Sequence, residues 1–353
     1  MNTEVVTIIQ DNIDHGAIKR AGEIIRRGGL VAFPTETVYG LGGDALNPES
    51  SQKIYSAKGR PSDNPLIVHI SKLDDLYKIA EEIPEDALKL SEAYWPGPLT
   101  MIFKKKPIVP KETTGGLETV AVRMPSDKTA RALIEASGGF IAAPSANISG
   151  RPSPTSAKFV CEDMCGRIDM IIDGGDSEVG LESTIVDFSE GKPVILRPGF
   201  ISAEMIQSVL GVYVGTDPAL KHEGDRPKAP GMKYRHYAPK GELTVIYGAS
   251  DRVVEKINSL VSEDIRNGYS VGIIASSENA KKYREGTVKP VGSAGNNEET
   301  AHSLFRVLRE FDDENTEKIY SEAFDEKGVG AAIMNRLLKA AGHKIIDLTK
   351  EDL

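Results

Sequence analysis

Between Gly211 and Gly241 the chain loses all periodicity, and Pro218, Pro227, Pro230 and Pro239 stand there among lysine, arginine, histidine and tyrosine residues. On either side of it, short β-rich runs alternate with amphipathic helical stretches. A chain broken in this way does not bury one continuous core. Two α/β units joined by a linker are expected, with boundaries at 1–210, 211–241 and 242–353. The 353-residue length agrees, being too long for one average domain. Structureless connections of about 30 residues tend to be either disordered or functional lids. The run Ala229-Pro230-Gly231-Met232-Lys233-Tyr234-Arg235-His236-Tyr237-Ala238-Pro239 concentrates aromatic, cationic and turn-forming side chains, which a passive spacer would not need.

In the first stretch, Asp14 is placed to cap a helix that Gly28-Gly29 ends, and Leu30 to Phe33 then reads as a buried strand. Asn47-Pro48 opens a second helix, with Pro where its missing N–H does no harm. Further strands are expected at 66–70, 100–103, 119–123, 140–143, 170–172, 183–188 and 193–196. So many strands imply one large, twisted, mixed sheet of α+β type. After Gly241 the pattern predicts strands at 243–247, 271–275 and 318–324 and helices at 250–267, 298–312 and 329–341. That is a smaller parallel α/β unit resembling an open Rossmann-like sheet. No Gly-x-Gly-x-x-Gly follows its first strand, so a structural, capping or regulatory role is expected.

Composition narrows the function classes. Lys and Arg total 43 against 52 Asp and Glu, a net charge of -9, which argues against a surface that coats nucleic acid. No run approaches the ~20 apolar residues of a membrane span, and residues 1–10, containing Glu4, read as a strand; a cytoplasmic protein is expected. Cys161 and Cys165, four apart and so on one face of a helix, supply only half of a zinc ligand set, and are expected to be small buried or half-buried side chains in a reducing compartment.

P-loop, nucleophile-elbow and zincin motifs are missing. Polar clusters at strand ends stand in their place. In Phe33-Pro34-Thr35-Glu36-Thr37-Val38-Tyr39-Gly40-Leu41-Gly42 an apolar strand runs into hydroxyls and glycines that let a ligand approach the backbone, or that merely satisfy a turn. Lys58-Gly59-Arg60-Pro61-Ser62-Asp63-Asn64-Pro65 sets two cations at a helix end, suited to a polyanion or to the helix dipole alone. His69 follows, as a ligand-facing or a satisfied strand histidine. In Thr119-Val120-Ala121-Val122-Arg123, alternation puts Thr119, Ala121 and Arg123 on one face, and Arg123 either binds a carboxylate or forms a structural ion pair. Ala142-Ala143-Pro144-Ser145-Ala146-Asn147, with Ser153, offers a flat wall for a nucleotide. Ser183-Thr184 and Arg197-Pro198-Gly199 complete the set. Without a Cys nucleophile or a carboxylate pair, these groups suit holding anions and stabilising charge, hence phosphoryl or nucleotidyl chemistry with Mg²⁺.

Residues Phe33 to Leu41, the pair Lys58-x-Arg60 and Ser145-x-Asn147 resemble the signature of the YrdC-like family across the first domain. The segment 230–239 with a Rossmann-like domain after it resembles the family's longer members, the threonylcarbamoyl-AMP synthases. That resemblance implies L-threonine, bicarbonate or CO₂, and ATP as substrates, and a tRNA threonylcarbamoyl transferase machinery downstream. It places threonine near Thr35 or Thr37, His69, Arg123, Ala143 and Ser183. ATP would lie against Lys58, Arg60, Asn64, Thr119, Ser145, Asn147, Ser153 and Arg197, with Tyr234 and His236 closing over it. Lys58 and Arg60 would be the catalytic cations, and Mg²⁺ would ride on the ATP phosphates with no protein metal site. His69 is the only candidate general base, and a binding role toward the threonine hydroxyl competes with it.

Two rival readings remain at this point. One is an RNA-binding module gripping phosphates with Lys58, Arg60 and Arg151, against which the acidic charge and the missing aromatic stacking motif weigh. The other is a related carbamoyl or acyl-adenylate transferase.

Overall fold

The structure, a computed structural model, describes residues 2–9, 11–217, 227–232 and 236–350. It divides into two compact units, Met1–Ser149 with Ser153–Tyr234, and Gly150–Pro152 with Arg235–Leu353.

The first unit is built on a mixed sheet. Its strands are β1 (Glu4–Thr7), β2 (Val31–Phe33), β3 (Gly40–Asp44), β4 (Ile67–His69), β5 (Leu99–Lys104), β6 (Thr119–Arg123), β7 (Ile141–Ala142), β8 (Met170–Asp173), β9 (Thr184–Asp187), β10 (Val194–Arg197) and β11 (Gly215–Thr216). Their order across the sheet is β1-β8-β2-β3-β7-β4-β6-β5-β9-β10-β11. The expected strands are present. The sequence reading missed β3, Gly-Leu-Gly-Gly-Asp, because glycine weakens strand propensity. Its glycines answer a packing need: a Cβ on Gly42 would stand 2.8 Å from Ile141 Cγ2 and 2.9 Å from Phe33 Cε1.

Helices cover the two faces unequally. On one face α2 (Pro48–Lys58), α3 (Leu73–Ile79), α4 (Glu85–Tyr94), α6 (Ala157–Met164) and α7 (Ala203–Leu210) bury Ile54, Leu76, Leu90, Val160 and Ile206 against Val68, Met101, Val122 and Val186. On the other, α1 (His15–Arg26) and α5 (Lys128–Ala136) cover only the β2, β7 and β8 end, through Ile18, Ile25, Leu133 and Ile134. Over β4, β5, β6, β9 and β10 that face carries Ile67, Ala121, Ile102, Ile185 and Leu196, and what packs on them is Ala229 and Met232 of the aperiodic segment. His69 and Arg123 continue the same face by strand alternation. His69 and Arg123 therefore lie on the half of the sheet that no described helix occupies.

The second unit holds five parallel strands, β12 (Glu242–Tyr247), β13 (Val271–Ser276), β14 (Thr287–Gly292), β15 (Lys318–Glu322) and β16 (Ile345–Asp347), in the order β14-β13-β15-β12-β16. The helices α8 (Ser250–Arg266), α9 (Asn297–Asp313) and α10 (Val329–Ala340) connect them. The reading missed β14, which carries Pro290, and the short, half-exposed β16.

The cysteines depart from expectation. Cys161 and Cys165 form a disulfide. Helix α6 ends at Met164, just before Cys165, and the two Cα atoms stand 4.7 Å apart. Uninterrupted helix would hold them farther apart. Among the described residues, no helix is long and apolar enough to cross a membrane.

Candidate active site

Two groups of side chains gather at the strand ends of the first unit, the first of them on the half of the sheet that no described helix covers. In the first, Thr35 Oγ1 lies 2.9 Å from Thr37 Oγ1, and the Thr35 hydroxyl donates to the Val38 carbonyl at 2.6 Å. That pins the turn following β2 and fixes where Thr37 points. Arg123 Nη1 donates to Thr37 Oγ1 at 2.8 Å, and Nη2 to Glu36 Oε1 at 2.7 Å. So of the two readings open for Arg123, the structure shows an ion pair. It is an incomplete one, since Arg123 Nε and Glu36 Oε2 are buried without a hydrogen-bond partner.

His69 pairs with Arg123 across β4 and β6, and its Nδ1–H donates to the Ile67 carbonyl at 3.1 Å. Burial, and then the Arg123 charge, push its pKa down to about 3. This corrects the expectation of a base poised near neutrality: His69 is a neutral imidazole at working pH and a weak proton acceptor. On the other side of β6, Thr100 opposes Arg123, and its hydroxyl lies 2.7 Å from that of Ser183. Arg197 donates to the Ser183 carbonyl through Nε at 3.1 Å and Nη2 at 3.0 Å, and through Nη1 to the Pro230 carbonyl at 3.3 Å. Arg197 thus ties Pro230 of the aperiodic segment to the strand ends.

The second group forms around the C-terminus of α2. Gly59, at φ of 62°, ends the helix in the left-handed conformation, and the two cations flank it. Lys58, only 1% exposed, donates to the carbonyls of Ser145 and, at 2.5 Å, Asn147. Ser145 in turn donates to Asn147 Oδ1 at 2.5 Å. Arg60 is forked onto Asn64, with Nη2 2.6 Å from Oδ1 and Nε 3.2 Å from the carbonyl. Both cations are therefore held by oxygens of their own chain. The Ala143 N–H is spent on the Ile67 carbonyl, and Gly40 bridges to Ser145, which joins the β7 loop to β3 and β4. Ser153 donates to Glu182 Oε1 at 2.5 Å, beside Ser183.

Thr119 lies on the same face as Arg123 at the opposite end of β6. His236 belongs to the second unit, where its ring stands 5.5 Å from that of Tyr237. Tyr234 lies outside the described residues. Among the described residues, no group of three or more His, Cys, Asp and Glu side chains could hold a metal ion. The sequence reading missed Glu36, Thr100 and Glu182, each a direct partner of a residue it named. Glu36 was visible, flanked by the two threonines. Asp127 caps α5 through the Ala130 N–H at 2.8 Å, and burial, then the nearby Glu36 charge, raise its pKa to about 6.

What this arrangement offers is a buried, partly satisfied guanidinium beside hydroxyls, next to cations framed by backbone carbonyls. It can orient a carboxylate and receive phosphates, and it contains no activated nucleophile. Comparison with known proteins agrees with that chemistry. The Sua5/YciO/YrdC family model, described as "Telomere recombination", matches residues 23–199. A model described as "Threonylcarbamoyl-AMP synthase, C-terminal domain" matches residues 201–342. A Pyrococcus abyssi threonylcarbamoyl-AMP synthase is 48% identical, covering 97% of this chain and 99% of its own. Its Bacillus subtilis counterpart is 46% identical, covering 93% and 94%. The crystal structure of P. abyssi Sua5 complexed with L-threonine superimposes with a TM-score of 0.93 at 47% identity, over 98% of this chain and 100% of that one. The chain belongs to the Sua5/YciO/YrdC family, among the threonylcarbamoyl-AMP synthases that carry the Sua5 C-terminal domain.

Proposed function

We propose that the chain is an L-threonylcarbamoyladenylate synthase, converting L-threonine, bicarbonate or CO₂, and ATP into threonylcarbamoyl-AMP and pyrophosphate. The observation that carries this is agreement over nearly the whole chain with synthases of that name, one of them solved with threonine bound. The deprotonated amine of threonine attacks CO₂ to form the N-carboxylate and release a proton. A carboxylate oxygen of that carbamate then attacks the α-phosphorus of ATP, and the bond to the leaving pyrophosphate breaks.

In this reading Arg123 orients the threonine carboxylate, with Thr35, Thr37, His69, Ala143 and Ser183 around the rest of the amino acid. Lys58 and Arg60 face the phosphates, and Asn64, Thr119, Ser145, Asn147, Ser153 and Arg197 line the remainder of the nucleotide. Segment 211–241, with Tyr234 and His236, closes over the site and keeps water from a hydrolysable product. Support for the lid comes from Ala229 and Met232 packing on the helix-free face and from the Arg197 bond to Pro230. Mg²⁺ enters as the counter-ion carried on the ATP phosphates, and no step is assigned to it. A tRNA threonylcarbamoyl transferase machinery in the cytoplasm would take up the released adenylate, so no RNA groove is needed here. The Cys161–Cys165 disulfide is unusual for that compartment.

Incubation with α-labelled ATP, bicarbonate and threonine tests the proposal. Pyrophosphate release and a labelled adenylate should both require threonine and bicarbonate. Release that ignored either one would sink it.

A further inference from the structure

The loop between β7 and α6 changes allegiance twice. Ser149 and Ser153 belong to the first unit, and the three residues between them, Gly150–Pro152, belong to the second. Each of those three is gripped there. The Ala238 N–H donates to the Gly150 carbonyl at 2.8 Å. Arg151 Nη2 reaches Asp312 Oδ2 at 3.4 Å. Arg309 forks onto the Pro152 carbonyl, through Nε at 3.0 Å and Nη2 at 2.6 Å.

The gripping side chains come from one face of α9, since Arg309 and Asp312 are three residues apart on it. Both are buried, at 0% and 2% exposure. The second oxygen of Asp312 accepts the Lys240 N–H at 2.6 Å, so a single carboxylate holds the loop and the end of the linker together. Nearby, Tyr237 adopts φ of 65°, stacks on Phe305 at 5.2 Å and lies under the Arg336 guanidinium at 5.9 Å. A tyrosine in the left-handed region persists only where its surroundings over-determine it. Arg309, fully buried, likewise directs its fork at a carbonyl outside its own helix. Both features make sense if the object is to hold two chain segments in one place.

We propose that Arg309 and Asp312 are positioning residues for the adenylation site. They fasten Gly150–Pro152 and residues 238–240 to α9, and so fix the backbone whose flanks carry Asn147 and Ser153. This rests on the reading above that Asn147 and Ser153 face ATP. Its consequence is that the anchor of the linker and the nucleotide loop are set by the same pair of side chains.

Steady-state kinetics on the full chain, with thermal midpoints alongside, test this through Arg309→Lys, Asp312→Asn and Ser153→Ala. Arg309→Lys keeps the charge and loses the fork. It should raise KM for ATP by about tenfold while KM for threonine stays unchanged. Asp312→Asn should move KM for ATP in the same direction by less. A folded Arg309→Lys protein with unchanged KM for ATP, or with both KM values raised alike, overturns the proposal. If Arg309→Lys does not fold, the isosteric Asp312→Asn decides by the same criterion. Ser153→Ala separates the two levels of inference. If it leaves KM for ATP unmoved, the placement of ATP falls and this proposal with it. If it raises KM while both α9 variants do not, the proposal alone fails.

Discussion

Arg123 and Glu36 form an ion pair 2.7 Å long with both side chains buried, and Arg123 is the residue proposed to meet the carboxylate of threonine. The chain's own carboxylate already engages the guanidinium on Nη2, while Nε is left unbonded. Substrate either adds to this pair or competes with Glu36 for it. If the two compete, loss of the pair lowers apo stability and raises threonine affinity.

Glu36→Gln strands a buried guanidinium, and removing one partner of such a pair costs on the order of 3 kcal/mol. The apo protein should melt earlier. Threonine then supplies the missing anion, so the rise in thermal midpoint on adding threonine should be larger than in the parent protein. A smaller rise would refute the idea that Glu36 and substrate share Arg123. Arg123→Ala should abolish the rise.

Lys58 has a structural task that its sequence context does not reveal. Lys58→Met keeps the apolar stem but leaves the Ser145 and Asn147 carbonyls without their ammonium donor. An unpaired buried acceptor costs roughly 1–3 kcal/mol. Threonine-dependent pyrophosphate release and the urea midpoint should therefore both fall. A variant that lost activity at full stability would assign Lys58 to ATP alone.

His69 sets a pH dependence of stability. Its folded pKa is lowered to about 3 by burial and by Arg123, so between pH 6.5 and 3 the unfolded chain binds a proton that the folded chain refuses. The contribution is fully present above the unfolded value and is lost as pH falls through that window. His69→Gln should flatten this part of the curve of unfolding free energy against pH. An unchanged slope would show that His69 is not the group responsible.

Gly42→Ala should destabilise the first unit by roughly 1–3 kcal/mol through overpacking. Its Cβ would press on Phe33 and Ile141 from neighbouring strands, and no flexible side-chain end is there to yield. Equilibrium denaturation checks it, and a neutral result would mean that β3 can shift away from Phe33.

What could be read from the residues alone followed strand and helix periodicity, which is why β6, α2 and α8 lie close to where they were expected. Gly40–Asp44 escaped because its glycines look like a ligand loop until Phe33 and Ile141 are seen filling the space their side chains would take. Arg123 could be narrowed to two roles but not decided, because its partner Glu36 lies 87 residues away in sequence. The His69 shift was out of reach for a similar reason: it comes from burial and from a charge on another strand. The cysteines were misread because free thiols were expected from a reducing compartment, whereas at the end of α6 the two lie close enough to pair.

The strand nearest the N-terminus, β1, pairs in parallel with β8, Glu4 lying opposite Met170. During synthesis, then, this strand leaves the ribosome long before the strand it pairs with exists. The largest sheet stays open at β8 until nearly half the chain has been made, and closing so long a loop favours slow, late docking. Newly made chains would carry an unpaired β1 segment through that interval, exposed to proteases and to pairing with other nascent copies.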